Sequence, residues 1–229
     1  MPTNSTGPIA CRYCDLVEVC RQCGIIAQRE SGELQRAGSA PRTLPIGARL
    51  FRAGEAAHSL FAVRQGMLKT VDVGLDGEEH VVAVNMPGDA LGTEAFGERI
   101  YAYDVVAVQP VVYCKLPLSL LSTQFARVHD LANALINLLS RSSVLRVPPV
   151  RGTVHQRVVA LMLDLSRRLE QSGFDGRRFS LGMTRQEIAS LLGTRIETVS
   201  RTIQKMHRAK EIAIDGQQVT LLSLKPATA

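Results

Sequence analysis

The spacing of apolar and polar positions divides the chain into a β-rich part followed by helices. Over residues 42–117, short runs rich in Val, Ile, Leu and Phe are separated by turns that contain Gly, Pro and Asp. Short strands at this spacing are typical of an antiparallel roll or barrel. Over residues 118–147 the apolar positions recur every three or four residues, which predicts a long helix. Pro148 and Pro149 end that helix, because neither can donate a backbone hydrogen bond.

Two short helices joined by a tight turn are predicted over residues 183–206. Thr184 is a favourable N-cap for the first helix, and Glu187 three residues later completes a capping box. Gly193 ends this helix, since a left-handed conformation costs little at glycine. Thr194 is predicted to cap the second helix. This layout predicts a helix-turn-helix, whose second helix enters the major groove of DNA.

The second helix is predicted to have a buried side, with Val199 and Ile203, and a side that faces DNA. Arg201 can bind guanine O6 and N7 with two hydrogen bonds. Glu197 can accept a hydrogen bond from the cytosine amino group, and Ser200 can contact either kind of base edge. A solvated helix face with an internal Glu197–Arg201 salt bridge is the alternative. The remaining candidates for DNA contact are Ile196 on the same face and, at the two helix starts, Thr184, Arg185, Thr194 and Arg195.

The net charge of +6 is distributed unevenly along the 229 residues. Residues 1–150 carry 14 basic and 14 acidic side chains, whereas residues 151–229 carry 13 basic and 7 acidic ones. The excess positive charge therefore accompanies the helix-turn-helix, as expected for binding to DNA phosphates. No apolar run reaches membrane-spanning length, and the N-terminus has no export signal, so we expect a cytoplasmic protein without membrane contact.

Four of the five cysteines lie within thirteen residues near the N-terminus, at Cys11, Cys14, Cys20 and Cys23. The fifth, Cys114, follows about ninety residues later, near the end of the β-rich part. In a cytosolic chain such a cluster predicts a metal or redox site before it predicts disulfides. Two CxxC pairs could bind zinc through four thiolates, and iron–sulfur clusters also take Cys ligands, often with a distant fourth one. Unliganded thiols are the remaining alternative.

The predicted helix over residues 118–147 carries apolar residues at coiled-coil spacing, which predicts pairing with a second copy of the chain. Packing of a single helix against its own domain is the alternative. The predicted seam consists of Val128, Leu131, Leu135, Leu138, Ser142 and Leu145.

These elements combine into an α+β chain with an antiparallel β-roll, a long dimerisation helix and a C-terminal winged helix-turn-helix. The wing is the hairpin predicted around Asp215-Gly216. The predicted domains are a cysteine-rich segment (1–27), a roll of the cyclic-nucleotide-binding type (28–117), a dimerisation helix (118–147), a linker (148–153) and the winged helix-turn-helix (154–229).

Several motifs resemble those of the CRP/FNR family of bacterial transcription regulators, in particular its oxygen-sensing iron–sulfur branch. They are CxxCxxxxxC at residues 11–20, LFRAGE near residue 50, GDALG near residue 90, YCKLP at residues 113–117, DLSRR near residue 165 and ETVSR at residues 197–201. The similarity extends over nearly the whole chain after residue 10. The Pro148-Pro149 pair departs from the family, whose dimerisation helix usually continues at this point.

The resemblance implies a [4Fe–4S] cluster held by Cys11, Cys14, Cys20 and Cys114. Cys23 is then the spare cysteine, although a cluster bound by the four N-terminal cysteines alone stays an alternative. The family's E-xx-SR signature matches Glu197, Ser200 and Arg201, which implies double-stranded DNA with inverted repeats of the TTGAT type. It also implies a homodimer and contact with RNA polymerase, for which the GLDGEE turn at residues 74–79 is the candidate.

The same sequence leaves several other ligands to consider. Cyclic-nucleotide receptors have an Arg-Ser pair that binds the cyclic phosphate, and this chain has Tyr101-Ala102 near that place, so no cyclic nucleotide is expected. Haem bound through His58, His80 or His129, structural zinc and thiol redox sensing stay as alternatives. A dithiol enzyme would carry its CxxC at a helix start in a βαβ fold, which the pattern does not predict, so no enzyme is expected.

Overall fold

The computed structural model describes residues 9–28, 34–36, 41–74, 77–125, 129–142 and 152–224. The chain divides into two compact units. The roll unit holds residues 7–68 and 85–145, and the winged-helix unit holds residues 1–6, 69–84 and 146–229. None of the helices in the described ranges combines the length and the apolar character needed to cross a membrane.

The regular elements are short, as the glycine- and proline-punctuated sequence predicts. The strands are β1 (Ile26–Gln28), β2 (Leu34–Arg36), β3 (Arg42–Leu44), β4 (Arg49–Phe51), β5 (Ser59–Gln65), β6 (Leu68–Val73), β7 (Glu79–Asn85), β8 (Ala90–Leu91), β9 (Asp104–Ala107), β10 (Val111–Pro117), β11 (Arg178–Ser180), β12 (Ile212–Asp215) and β13 (Gln218–Leu221). The helices are α1 (Val17–Gln22), α2 (Ala95–Glu98), α3 (Leu118–Phe125), α4 (His129–Ser142), α5 (Val154–Gln171), α6 (Arg185–Leu191) and α7 (Ile196–Arg208).

The roll unit is built from antiparallel pairs, which confirms the predicted β-roll. One sheet has the order β3-β10-β5-β8, and β4 pairs with β9. Strand β10 lies at the centre of its sheet, where Cys114 is opposite Ala62 of β5. The polar residues 28–40 are predicted from sequence to form a short helix or a linker. The residues of this range that the structure describes, 28 and 34–36, lie instead in β1 and β2, which pair antiparallel with Ile26 opposite Arg36.

The core of the roll unit includes the N-terminal cysteine segment. Leu16 directly precedes α1, and Val19 lies on it. Both residues are almost fully buried, and α1 packs against α4. On α4 the buried apolar residues are Leu131, Ala134, Leu135 and Leu138. Burying apolar side chains from two distant parts of the chain in one cluster stabilises both by the hydrophobic effect.

The predicted coiled-coil seam is therefore wrong for the leucines that the structure describes. Leu131 is 0% exposed and packs within its own unit, as do Leu135 and Leu138. The apolar side chains that α4 leaves exposed are Ile136, at 62%, and Leu139, at 38%. Helices α3 and α4 both lie within the predicted helix, and residues 126–128 between them lie outside the described residues. The side chains of Val128, Ser142 and Leu145, and the Pro148-Pro149 pair, lie outside the described residues.

The winged-helix unit follows the sequence expectations closely. The sequence predicts a helix from about Val154 to Gln171, and α5 has these bounds; Thr153 caps it by accepting a hydrogen bond from the Gln156 backbone N–H. The wing strands β12 and β13 form with Asp215 opposite Gln218. A third strand, β11, pairs with β13 and completes a sheet of order β11-β13-β12. Strand β11 was not predicted, because three residues carry too little periodicity to be recognised.

Candidate metal centre and nucleic-acid interface

Four cysteines from three places in the fold line one cavity of about 310 Å³ in the roll unit. Cys11 lies in a short 3₁₀ turn (Cys11–Tyr13), Cys14 directly follows it, and Cys20 lies on α1. Cys114 reaches the same cavity from the middle of β10. Cys23 is not among the described residues that line it, and none of the five cysteines forms a disulfide.

Backbone hydrogen bonds hold the cysteine segment against the roll. The Ile9 N–H donates to the Arg64 carbonyl at 2.8 Å, and the Asp15 N–H donates to the Gly88 carbonyl at 2.8 Å. Together with the burial of Leu16 and Val19, these contacts fix the segment on both sides of Cys11 and Cys14. The segment therefore docks through its own residues, and the thiols are brought together by the fold.

Burial in the cavity favours the neutral form of the Cys14 thiol. Burial raises the pKa of the Cys14 thiol strongly, and the nearby Cys20 and Cys114 sulfurs raise it further. Burial also raises the pKa of Cys23. Because metal ions are bound by thiolates, loading of the site must release protons.

The cavity fits a group larger than one metal ion. Within the described residues, no three His, Cys, Asp or Glu side chains lie close enough to hold a single ion. The volume exceeds by several-fold the roughly 30 Å³ share of one water molecule. The walls between the cysteines are mainly apolar, which limits access of solvent. Soft sulfur donors around such a space suit an iron–sulfur cluster, whose ligands are Cys thiolates. The apolar lining consists of Leu16, Val17, Ile25, Ile26, Leu116 and Leu120.

Helix α7 presents one buried and one exposed side, as predicted. Val199 and Ile203 are fully buried, whereas Glu197 and Arg201 are exposed and Ser200 is half-buried. In the described part of the chain, Glu197 and Arg201 form no ion pair with each other. The exposed side can therefore offer both a hydrogen-bond acceptor and a bidentate donor to base edges. Ile196 is the other predicted contact residue on α7. It lies at the N-terminal end of the helix and is partly exposed.

The start of α7 differs from the prediction in its cap. Arg195 is the N-cap residue and makes no capping hydrogen bond through its side chain, so the assignment of Thr194 as the cap is wrong. The Thr194 N–H instead donates to the Ala189 carbonyl at 2.9 Å, which makes Thr194 part of the turn. Gly193 supplies the left-handed residue of that turn, with φ of 57°. Arg195 is exposed at the front of the helix, where it can reach a phosphate.

Helix α6 has the predicted capping box and one contact that the sequence does not reveal. The Thr184 N–H donates to Glu187 Oε2 at 2.7 Å, and the Glu187 N–H donates to Thr184 Oγ1 at 3.2 Å. Lys69 of β6, in the same unit, binds the other carboxylate oxygen of Glu187 at 2.6 Å. Next to this pair, the Val81 N–H donates to Ser190 Oγ at 3.0 Å. Thr184 is exposed and Arg185 is half-buried.

The charge on Glu187 is expected to stabilise the winged-helix unit in a pH-dependent way. Burial alone would raise the pKa of Glu187, but hydrogen bonds from Lys69 and Thr184 and the Lys69 charge lower it below its ordinary 4.5. The stabilisation is present above that ordinary value and is lost as pH falls through the lowered one. We expect Glu187→Gln to reduce the free energy of unfolding by about 1–2 kcal/mol near neutral pH.

Urea unfolding of wild type, Glu187→Gln and the exposed-site control Glu170→Gln, at neutral pH and at about pH 3, measures this difference. The Glu187→Gln deficit should be smaller at the acid pH, because the carboxylate is lost as pH falls through the lowered pKa of Glu187, while Glu170→Gln should match wild type at both. An equal deficit at both pH values would contradict the charge-based explanation.

Comparisons with known proteins find a matching domain family for each half of the chain. A model of the Crp-like helix-turn-helix domain matches residues 156–225, and a model of the cyclic nucleotide-binding domain matches residues 41–127. The transcriptional activator protein Anr of Pseudomonas aeruginosa is 28% identical over 216 residues, covering 93% of this chain and 88% of that protein. The fumarate and nitrate reduction regulatory protein of Escherichia coli K12 is 26% identical over 219 residues, covering 93% and 86%. These relatives are transcription regulators and not enzymes.

Solved structures support the same fold. FixK2 from Bradyrhizobium japonicum superposes with a TM-score of 0.72 at 20% identity, covering 84% of this chain and 100% of that one. TTHB099 from Thermus thermophilus, a CRP-family transcriptional regulator, gives a TM-score of 0.62 at 20% identity, covering 81% and 100%. These likenesses confirm the predicted arrangement of an antiparallel roll, helices and a C-terminal helix-turn-helix.

Proposed function

Because the chain belongs to the CRP/FNR family of DNA-binding transcription regulators, we propose that it senses oxygen through an iron–sulfur cluster that controls its dimerisation and its affinity for DNA. The target is double-stranded DNA with TTGAT-type inverted repeats, and the site of action is the cytoplasm. The proposed ligands of the [4Fe–4S] cluster are Cys11, Cys14, Cys20 and Cys114.

One observation supports the proposal most directly. The four cysteines line a single cavity, and α1, which carries one of them, packs against α4. Cys20 lies on α1, and α1 packs against α4 through Val19. The side of α4 away from this contact exposes Ile136 and Leu139. A change in the position of α1 therefore acts directly on the helix that offers an apolar face to a second copy. This coupling supports dimerisation as the element that the cluster biases.

The residues of the chain have separate parts in the proposed switch. When bound, the cluster supplies an oxygen-labile tie among four sulfurs of the cavity. Cys11, Cys14 and Cys20 then hold the N-terminal segment, and Cys114 joins it to β10. Without that tie, the segment would be held only by the apolar packing of α1 on α4 and by the backbone hydrogen bonds of Ile9 and Asp15. A symmetric dimer must keep its two recognition helices one DNA turn, or roughly 34 Å, apart, so a weaker dimer binds an inverted repeat less tightly.

The direct test is DNA binding of one anaerobic preparation before and after exposure to air, at fixed salt. We expect tight binding to a TTGAT inverted repeat without oxygen and a large loss of affinity in air. A duplex with scrambled half-sites is the control, because its binding reports only the phosphate contacts. Equal affinity for the inverted repeat in both conditions would refute the oxygen switch.

The exposed face of α4 is expected to form the dimer contact. Ile136→Glu places a charge in that contact twice, once from each copy, and should raise the dimer dissociation constant by at least about tenfold. Sedimentation equilibrium without oxygen measures the constant. Ile46→Glu is the matched control. Ile46 is 66% exposed and belongs to the same unit, but it is not part of α4. A dimer constant that changes equally in both variants would contradict the assignment.

Two further partner assignments complete the proposal. RNA polymerase is expected to contact the turn at residues 74–79, of which residues 75 and 76 lie outside the described part.

No cyclic nucleotide is expected in the roll. The Tyr101 ring is buried there, stacked on Phe51 with 3.9 Å between ring centroids, and its hydroxyl donates to the Ser59 carbonyl at 2.8 Å. An aromatic side chain fixed in this way supplies neither the positive charge nor the hydroxyl–phosphate contact of an Arg-Ser pair.

A further inference from the structure

The side chain of Arg64 links the two parts of the chain that carry the cysteines. Arg64 lies on β5 and lines the cavity. Its Nη1 is 3.4 Å from Cys11 Sγ and 3.8 Å from Cys114 Sγ, within donor–sulfur hydrogen-bonding distance of both. Its Nη2 donates to the Ile9 carbonyl, two residues before Cys11. A single guanidinium therefore spans the N-terminal segment and strand β10.

We propose that Arg64 is a positioning residue of the cluster site, which sets the redox properties of the bound group; this inference rests on the proposed function. Four thiolates around a cluster leave an excess of negative charge, and Arg stays protonated at any ordinary pH. Hydrogen bonds to the ligand sulfurs and nearby charge are the main protein features that set the potential of such a site. Arg64 supplies both to Cys11 and Cys114.

The contact geometry supports a role at the sulfurs in addition to a structural one. The backbone of Arg64 already holds the N-terminal segment, because its carbonyl accepts from the Ile9 N–H at 2.8 Å. That bond persists whatever the side chain at position 64. The guanidinium is half-buried, and its Nε has no hydrogen-bond partner among the described residues, so its Nη groups make its polar contacts.

The test compares Arg64→Gln and Arg64→Lys with Arg21→Gln, which removes an exposed positive charge from α1 at a residue that pairs with Glu18. All are purified without oxygen, and iron, the reduction potential and the rate of absorbance loss in air are measured. We expect Arg64→Gln to have a more negative potential and a roughly tenfold faster loss of absorbance. Arg64→Lys keeps the charge and should recover part of both, while Arg21→Gln should match wild type.

A second readout uses the cluster-free chain. Amide hydrogen exchange over residues 9–14 is expected to be faster in Arg64→Gln than in wild type, because the side-chain bond to the Ile9 carbonyl is lost. Variants with a full complement of iron but wild-type potential and wild-type decay would overturn the role of Arg64 while leaving the oxygen sensor in place. A wild-type chain that binds no iron would overturn both.

Discussion

Replacing Cys114 with Ala is expected to abolish cluster binding and, with it, the difference in DNA affinity between anaerobic and aerobic protein. Cys114 is the one proposed ligand that belongs to the β-roll, so without it no sulfur ties the N-terminal segment to β10. We expect iron to fall from about four atoms per chain to near background after anaerobic purification. Metal analysis, together with DNA binding at fixed salt, measures both effects.

The matched control for this variant is Cys23→Ala. Cys23 has the same side chain as Cys114 and lies in the N-terminal cysteine segment, but it does not line the cavity in the described structure. It should therefore bind iron and respond to oxygen as wild type does. The opposite pattern, with iron lost in Cys23→Ala and kept in Cys114→Ala, would favour the alternative ligand set of Cys11, Cys14, Cys20 and Cys23.

Replacing Arg201 with Ala is expected to weaken binding to the preferred DNA by about 1–3 kcal/mol, or roughly fivefold to 150-fold. Arg201 is exposed on α7, on the side opposite the buried Val199 and Ile203. The bidentate contact to guanine that we propose for Arg201 would be lost in the variant, so discrimination at one base pair of each half-site should relax as well. Competition binding with duplexes that vary at each half-site position measures the affinity and the specificity together.

Arg208→Ala serves as the comparison for this prediction. Arg208 is also exposed, but it lies at the C-terminal end of α7, away from the end that enters the groove. Its removal should reduce affinity by a similar factor for every duplex, as expected for loss of a phosphate contact. If Arg201→Ala also lowered affinity uniformly, without relaxing any position, Arg201 would be a phosphate contact and not a base-reading residue.

Features set by neighbouring residues could be predicted from the sequence. The Thr184–Glu187 capping box, the left-handed Gly193 and the wing hairpin all depend on side chains within a few positions of one another. The bounds of α5 follow for the same reason, since its cap and its apolar stripe are local. These signals are strong because the physical interaction that produces each of them spans less than two turns of helix.

The face of α4 that is used inside the unit could not be predicted in the same way. Helix α4 has apolar residues on two sides, and both Leu135 and Ile136 suit a helix interface. Packing of α1 buries the side with Leu135, a contact between segments more than a hundred residues apart that helical spacing does not encode. The coiled-coil pattern therefore identified an amphipathic helix correctly and assigned the wrong side to the partner.

Contacts made by single long side chains could not be predicted from the sequence either. Arg64 reaches sulfurs on two other segments, and Lys69 reaches Glu187 across 118 positions of sequence. An isolated basic residue in a strand is usually solvent-exposed, so neither carries a sequence signal. By contrast, the family resemblance implied that Cys114 belongs with the N-terminal cysteines, and in the structure Cys114 lines the same cavity as Cys11, Cys14 and Cys20.

The most direct test of the central claim is the visible absorption of anaerobically purified protein as air is admitted, with iron and sulfide counted in the same sample. We expect a broad band at about 400 nm that bleaches in air, with about four irons and four sulfides per chain. A colourless protein that holds one zinc per chain would contradict the oxygen sensor, while leaving the helix-turn-helix and its DNA target as described.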